Sequence, residues 1–210
     1  MISKLHYISQ TPHTENIRAA CDAGCQWIQL RVKQQSEEEI LRLAEAAKTI
    51  CDRYKAKLII NDRPQIAVKV GADGVHVGRL DMSVAAARAI TGPDMIVGGT
   101  ANTVADILRH VEDGANYVGV GPYRFTTTKE NLSPILGLSG YLAILQQLQD
   151  QHISIPVIAI GGILAADIPP LMAAGVHGIA VSGLISQATN KQQTVQDIHH
   201  HLNQVYSWNL

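Results

Sequence analysis

The sequence predicts one α/β domain folded as a (β/α)8 TIM barrel, and three observations lead to that class. Eight short apolar runs rich in Val and Ile recur along the 210 residues, each followed by a longer segment with helical spacing, as expected of buried parallel strands alternating with covering helices. Glycine stands where helices must stop before strands, in Asp22-Ala23-Gly24, Val70-Gly71, Asp113-Gly114 and Ala174-Gly175. Eight units in a chain of this length suit a closed barrel, whereas an open doubly wound sheet usually carries fewer units and a dinucleotide fingerprint.

In chain order the expected strands are Leu5 to Ile8, Trp27 to Arg31, Lys57 to Asn61, Gly74 to Val77, Met95 to Gly98, Tyr117 to Val120, Val157 to Ile160 and Gly178 to Val181. Helix signals fall between them. In Ser36-Glu37-Glu38-Glu39, Ser36 can cap a helix and Glu39 can reach back to the cap amide, after which Ile40, Leu43, Ala44 and Ala47 face inward. No linker, low-complexity segment or charge run divides the chain, so residues 1–210 are expected to form a single domain. The triplet His199-His200-His201 lies in a terminal helical pattern, where adjacent side chains point in different directions, and reads as a solvated face. His76, inside the fourth strand, reads as a satisfied barrel histidine.

Composition bounds the partners. The chain is 46% apolar with a formal net charge of -1, and its Lys and Arg are scattered, so it has no basic stripe to attract nucleic acid or anionic lipid. A small-molecule partner is favoured, and a homo-oligomer is compatible with the sequence. No apolar run approaches the roughly 20 residues of a membrane span, and Met1 to Gln10 lack a signal-peptide pattern, so a cytoplasmic location is expected. Cys21, Cys25 and Cys51 cannot all pair and have no zinc-type spacing, which makes them reduced structural residues.

A barrel of this kind builds its site at the strand C-termini, so the polar residues that end each apolar run carry the chemistry. After the second run come Gln29, Arg31 and Lys33, directed alike if the strand stays regular; two cations there suit a polyanion, or an ion pair with a carboxylate of the next strand. Asn61 and Asp62 follow the third run, Asp81 the fourth, and Thr100 and Asn102 the fifth. Asp62 and Asp81 end neighbouring strands and could approach one hard cation such as Mg²⁺, which takes one or two carboxylates with substrate phosphate and water. Asp81 could instead cap the next helix, a task Ser83 could perform equally well. The segment Thr126-Thr127-Thr128-Lys129 offers hydroxyls, amides and an ammonium to phosphate oxygens, or is a plain surface loop. Gly161-Gly162 after the seventh run and Ser182-Gly183 after the eighth stand where such barrels often hold phosphate.

With these residues in order, the chain resembles the thiamine-phosphate synthase family along essentially its whole length. The motifs are Gln29-Leu30-Arg31-Val32-Lys33, Asn61-Asp62, Asp73-Gly74-Val75-His76-Val77-Gly78-Arg79-Leu80-Asp81, Gly121 to Lys129, and Ile160-Gly161-Gly162-Ile163. The resemblance implies a Mg²⁺-dependent transferase that condenses hydroxymethylpyrimidine diphosphate with a thiazole phosphate, giving thiamine phosphate and pyrophosphate. By that likeness Gln29, Arg31, Lys33, Asn61, Thr100 and Lys129 hold the pyrimidine diphosphate, with Lys129, Thr100 and Arg31 as the catalytic candidates. Asp62 and Asp81 hold Mg²⁺, and Thr126, Thr128, Gly162, Ser182 and Gly183 hold the thiazole phosphate. Three positions depart from the family pattern: Thr100 for Ser, Ser182-Gly183 for an aliphatic-Ser pair, and Arg79-Leu80 for Gln-Glu. The alternatives are a thiazole tautomerase on the same barrel, disfavoured because Asn102 stands at its histidine position and cannot take up a proton, and a non-catalytic sensor of phosphorylated ligands. Residues 124–136 form the candidate lid.

Overall fold

The computed structural model describes residues 1–78, 81–126 and 133–204. Eight parallel strands close into a barrel in chain order: β1 (Leu5–Ile8), β2 (Trp27–Leu30), β3 (Lys57–Asn61), β4 (Gly74–Val77), β5 (Ile96–Ala101), β6 (Tyr117–Val120), β7 (Val157–Ile160) and β8 (Gly178–Val181), with β8 pairing back onto β1. The register runs Ile28 opposite Leu58, Ile60 opposite Val75 and Val75 opposite Val97, so each strand's outward aliphatic residues meet those of its neighbours under the helices.

Those helices are α1 (His13–Asp22), α2 (Glu37–Tyr54), α3 (Pro64–Lys69), α4 (Val84–Thr91), α5 (Val104–Glu112), α6 (Gly137–Asp150), α7 (Ile168–Ala174), α8 (Gly183–Ser186) and α9 (Lys191–Asn203). Gly24, Gly71, Gly114 and Gly175 all take positive φ at the helix-to-strand turns where the sequence predicts them. The cap of α2 is only half of the predicted box. Ser36 Oγ accepts from the Glu39 amide at 3.2 Å, but the Glu39 carboxylate pairs with Arg42 on the same face instead of returning to the cap. A fork of charge-assisted bonds one turn away outcompetes a single bond to an exposed amide.

Two cores result. The larger lies between strands and helices and takes in Ile40, Ala44 and Ala47. The smaller fills the barrel itself, with Trp27, Ile59, Tyr117, Ile158 and Ala180 at its centre. His6 stacks on Trp27 with ring centroids 4.3 Å apart, and both meet Tyr117 edge-on. Rings of this size fit because the next strand gives way: a Cβ at Gly98 would collide with the Tyr117 ring. Strand β5 starts one residue later than expected and continues to Ala101, so Gly98 and Gly99 are strand residues and Thr100 belongs to the strand itself. Strand β2 ends at Leu30, one residue early, which leaves Arg31 and Lys33 on the rim. Cys21, Cys25 and Cys51 are free and buried. On α9, Ile198 and Leu202 are buried, His200 is exposed and His199 and His201 are partly buried, so of the triplet His200 alone is fully solvated. No helix among the described residues is long and apolar enough to cross a membrane.

Candidate active site

At the C-terminal rim, β2, β3 and β4 bring one polar network together. Gln29 Nε2 donates to Asn61 Oδ1 at 2.9 Å, the Asn61 amide donates to Asp62 Oδ2, and Lys33 Nζ pairs with that same oxygen. Asp62 Oδ1 accepts the Gly78 amide at 2.9 Å. The ion pair between neighbouring strands that the sequence allows is thus made, by Lys33 with Asp62. Its two ends differ in setting: the Lys33 side chain is 46% exposed and that of Asp62 only 4%.

Burial would push the Asp62 carboxyl up, but Lys33, the Gly78 amide and the His76 ring outweigh it and hold the group below its ordinary value. Asp62 also sits at φ 58°, a left-handed conformation that short polar residues enter at modest cost. Its own amide donates to the His76 carbonyl at 2.9 Å, which anchors the turn. Asp81 comes to the same place. A Cβ at Gly78 would collide with Asp81 Oδ2 and lie 3.5 Å from Asp62 Oδ1, so a bare glycine backbone is what lets both carboxylates approach. Asp81 is not the cap of α4; Ser83 is, accepting the Ala86 amide at 3.1 Å. Two neighbouring carboxylates are part of the oxygen donor set of a hard cation, the rest coming from substrate and water; among the described residues no group of three or more His, Cys, Asp or Glu side chains gathers to hold a metal by itself.

Thr100 is fixed by histidines on its two sides. His76 Nε2 meets Thr100 Oγ1 at 2.9 Å while its Nδ1 meets the Tyr117 hydroxyl at 3.0 Å. From α5, His110 Nε2 bonds the Thr100 carbonyl at 2.9 Å, and a side chain at Gly99 would strike that imidazole. His76 is thus a satisfied barrel histidine whose partner is a rim hydroxyl. Asn102 donates both amide hydrogens, to Gly121 O at 3.0 Å and Pro134 O at 2.9 Å, and so ties the end of β5 to the segment after β6.

On the β6 to β8 side the backbone dominates. Gly161 and Gly162 take φ 89° and 71°, and Tyr123 and Arg124 donate their amides to Ile160 O and Gly161 O. Ser182 Oγ donates to the Ile8 carbonyl at 2.6 Å, joining the rims of β8 and β1, and Gly183 opens α8. Arg31 donates its amide to Ser9 Oγ at 3.3 Å, and Thr126 is half-buried at the end of the described part of its loop. Lys129 and Thr128 lie outside the described residues, as does most of the Thr126 to Lys129 run and part of the candidate lid.

Sequence reasoning missed Tyr117, which reaches Thr100 through His76, and the partner of Arg124. Arg124 forms a two-bond ion pair with Asp167, at 2.6 and 2.9 Å. The inward alternation of β4 and β6 is a signal for the first; nothing local connects the two members of the second.

Comparison with known proteins follows the same lines. The family model described as thiamine monophosphate synthase matches residues 1–185. The chain is 52% identical over 206 residues to the thiamine-phosphate synthase of Flavobacterium johnsoniae, covering 96% of this chain and 97% of that protein. It is 48% identical over 193 residues to the one from Bacteroides fragilis, covering 92% and 95%. Among solved structures it is similar to a thiamine phosphate pyrophosphorylase from Pyrococcus furiosus, with TM-score 0.82, 28% identity and 95% of each chain covered. A 3-hexulose-6-phosphate synthase, at TM-score 0.70 and 19% identity over 95% of this chain and 100% of that one, shares the fold alone.

Proposed function

From its membership of the thiamine monophosphate synthase family, we propose how this transferase joins a pyrimidine to a thiazole and which of its residues do so. The thiazole ring nitrogen attacks the pyrimidine methylene of hydroxymethylpyrimidine diphosphate, the methylene C–O bond breaks, and pyrophosphate leaves with the electron pair. Thiamine phosphate is the product. No side-chain nucleophile is required. The protein's task is to align the two substrates, exclude water and neutralise the departing diphosphate.

The observation that carries this reading is the network on Asp62: a buried carboxylate that joins Lys33, Asn61 and the Gly78 amide, with Asp81 meeting it over Gly78. Around it Gln29 and Asn61 hold the pyrimidine side and Arg31 and Lys33 serve the diphosphate, a task shared with Lys129, which lies outside the described residues, while His76 presents Thr100 as an oriented hydroxyl. Asp62 and Asp81 would hold Mg²⁺, which when bound supplies charge neutralisation to the leaving diphosphate. Thr126, Thr128, Gly162, Ser182 and Gly183 receive the thiazole phosphate. The substrates are small molecules, and the enzyme works in the cytoplasm without nucleic acid or membrane.

The test is formation of thiamine phosphate from both substrates with Mg²⁺, run beside a chain carrying Asp62→Ala and Asp81→Ala. Product from the unmodified chain and none from the variant is the expected result. Equal product from both would remove the two aspartates from the site.

A further inference from the structure

Arg124 makes more bonds than a surface loop residue needs. Its guanidinium grips the Asp167 carboxylate with two bonds, and Nη1 donates at 2.8 Å to the carbonyl of Gly162. Its amide donates to Gly161 O at 2.9 Å, and its guanidinium lies 5.3 Å from the centre of the Tyr123 ring. Asp167 is equally committed: its side chain is 11% exposed, and Oδ2 also accepts the Leu164 amide at 2.8 Å. An exposed ion pair contributes little. This one is bidentate, half shielded and bonded through Nη1 to the Gly162 carbonyl of the glycine turn after β7, while the Arg124 main-chain amide holds the Gly161 carbonyl beside it.

The peptide geometry gives those two bonds a consequence. In a trans peptide the C=O and the following N–H point in opposite directions. With the carbonyls of Gly161 and Gly162 both drawn toward Arg124, the amides of Gly162 and Ile163 are turned to the side away from the β6 loop. A pair of amides aimed alike suits an anion. The turn has no side chain that could set this orientation itself, since both its residues are glycines with positive φ. The fork fixes the Gly162 half of it from outside, with the Gly161 half held by the Arg124 main-chain amide, and at the same time anchors the chain two residues before Thr126.

We propose that Arg124 and Asp167 form a positioning latch that orients the glycine turn after β7 and sets the affinity for the thiazole phosphate. The inference rests on the assignment of that phosphate to Gly162, Ser182 and Gly183. Neither Arg124 nor Asp167 need touch substrate, so the expected signature is a selective one.

Steady-state kinetics on Arg124→Met, Arg124→Lys, Asp167→Asn and the Arg124→Met/Asp167→Asn pair test it, with the melting temperature of each. Arg124→Met should raise KM for the thiazole phosphate about tenfold, with KM for the pyrimidine diphosphate moving by less than about twofold. Arg124→Lys keeps the charge and loses the fork, and should fall between. Asp167→Asn should match Arg124→Met, and the double variant should add nothing to either, as coupled partners require. Equal rises in both KM values, a change confined to kcat, or a lower melting temperature with both KM values unchanged would overturn the latch.

Gly183→Ala separates this proposal from the assignment beneath it. Its new Cβ meets Gln187 at ordinary contact distances of 3.6 Å, so folding tolerates it, while a phosphate packed on that backbone would not. A thiazole KM raised by Gly183→Ala and unmoved by Arg124→Met would sink the latch alone; one unmoved by either would sink the phosphate site with it.

Discussion

Asp62 concentrates the residue-scale chemistry, because its charge is buried, its backbone is left-handed and its oxygens are shared among three donors. Asp62→Asn is the cleanest probe, since Asn also enters the left-handed region readily and only the charge is lost. We expect product formation to fall on the order of a hundredfold or more, with the fold kept by circular dichroism. The same carboxylate has a stability signature. Its folded value is depressed below the ordinary 3.8, so the stability it contributes is complete above that value and is lost as pH falls through the lowered one. Denaturant titrations at neutral pH and at a few acidic pH values should therefore show a smaller acid loss in Asp62→Asn than in the unmodified chain. A second residue test concerns packing: Gly98→Ala drives a methyl into the Tyr117 ring and should cost about 1–3 kcal/mol by urea unfolding. Asn61, Asp62 and Lys33 are legible as site residues because they follow an apolar run. That Lys33 and Asp62 bond each other is legible only as one of two options, since strand regularity ends at Leu30.

At the scale of elements, local rules predict where helices begin and glycine-terminated helices stop, while neighbours decide the details. Ser36 caps α2 as its sequence demands, and Ser36→Ala should cost about 1 kcal/mol in urea unfolding without altering thiamine phosphate formation. Glu39→Gln should cost less than Ser36→Ala, because the Glu39 side chain has left the cap for Arg42. Strand β5 shows the opposite dependence. The apolar run ends at Gly98, yet Tyr117 and His110 press on Gly98 and Gly99 from either side and the chain stays extended to Ala101. Thr100 thereby gains a fixed direction that a loop residue would lack.

For the whole molecule, closure of β8 onto β1 leaves no open sheet edge, and the two cores are separated by the barrel wall. The three thiols report on that integrity. Burial pushes the Cys25 thiol up to about 12, and the hydrogen bond between Cys21 and Cys51 raises Cys51 while it lowers Cys21, which is protected by its burial alone. All three should react with a thiol reagent no faster than the barrel opens, so labelling rates should track unfolding across a urea series. One thiol reacting fast in the native state would show that α1 or α2 opens alone.

The sequence by itself determined the barrel, its eight strands and the set of rim residues, because both periodicity and position after an apolar run are local properties of a chain. It also carried the family, since the motifs at Gln29 to Lys33, Asn61-Asp62 and Gly121 to Lys129 are contiguous. Only the tertiary structure decided which rim residues meet. Asp62 and Asp81 converge because Gly78 between them is bare, Thr100 is aimed by a histidine on each side, and Arg124 finds Asp167 across two loops. Those pairings depend on separations of tens of residues being closed by the barrel, and no local pattern encodes the distance across a closed sheet.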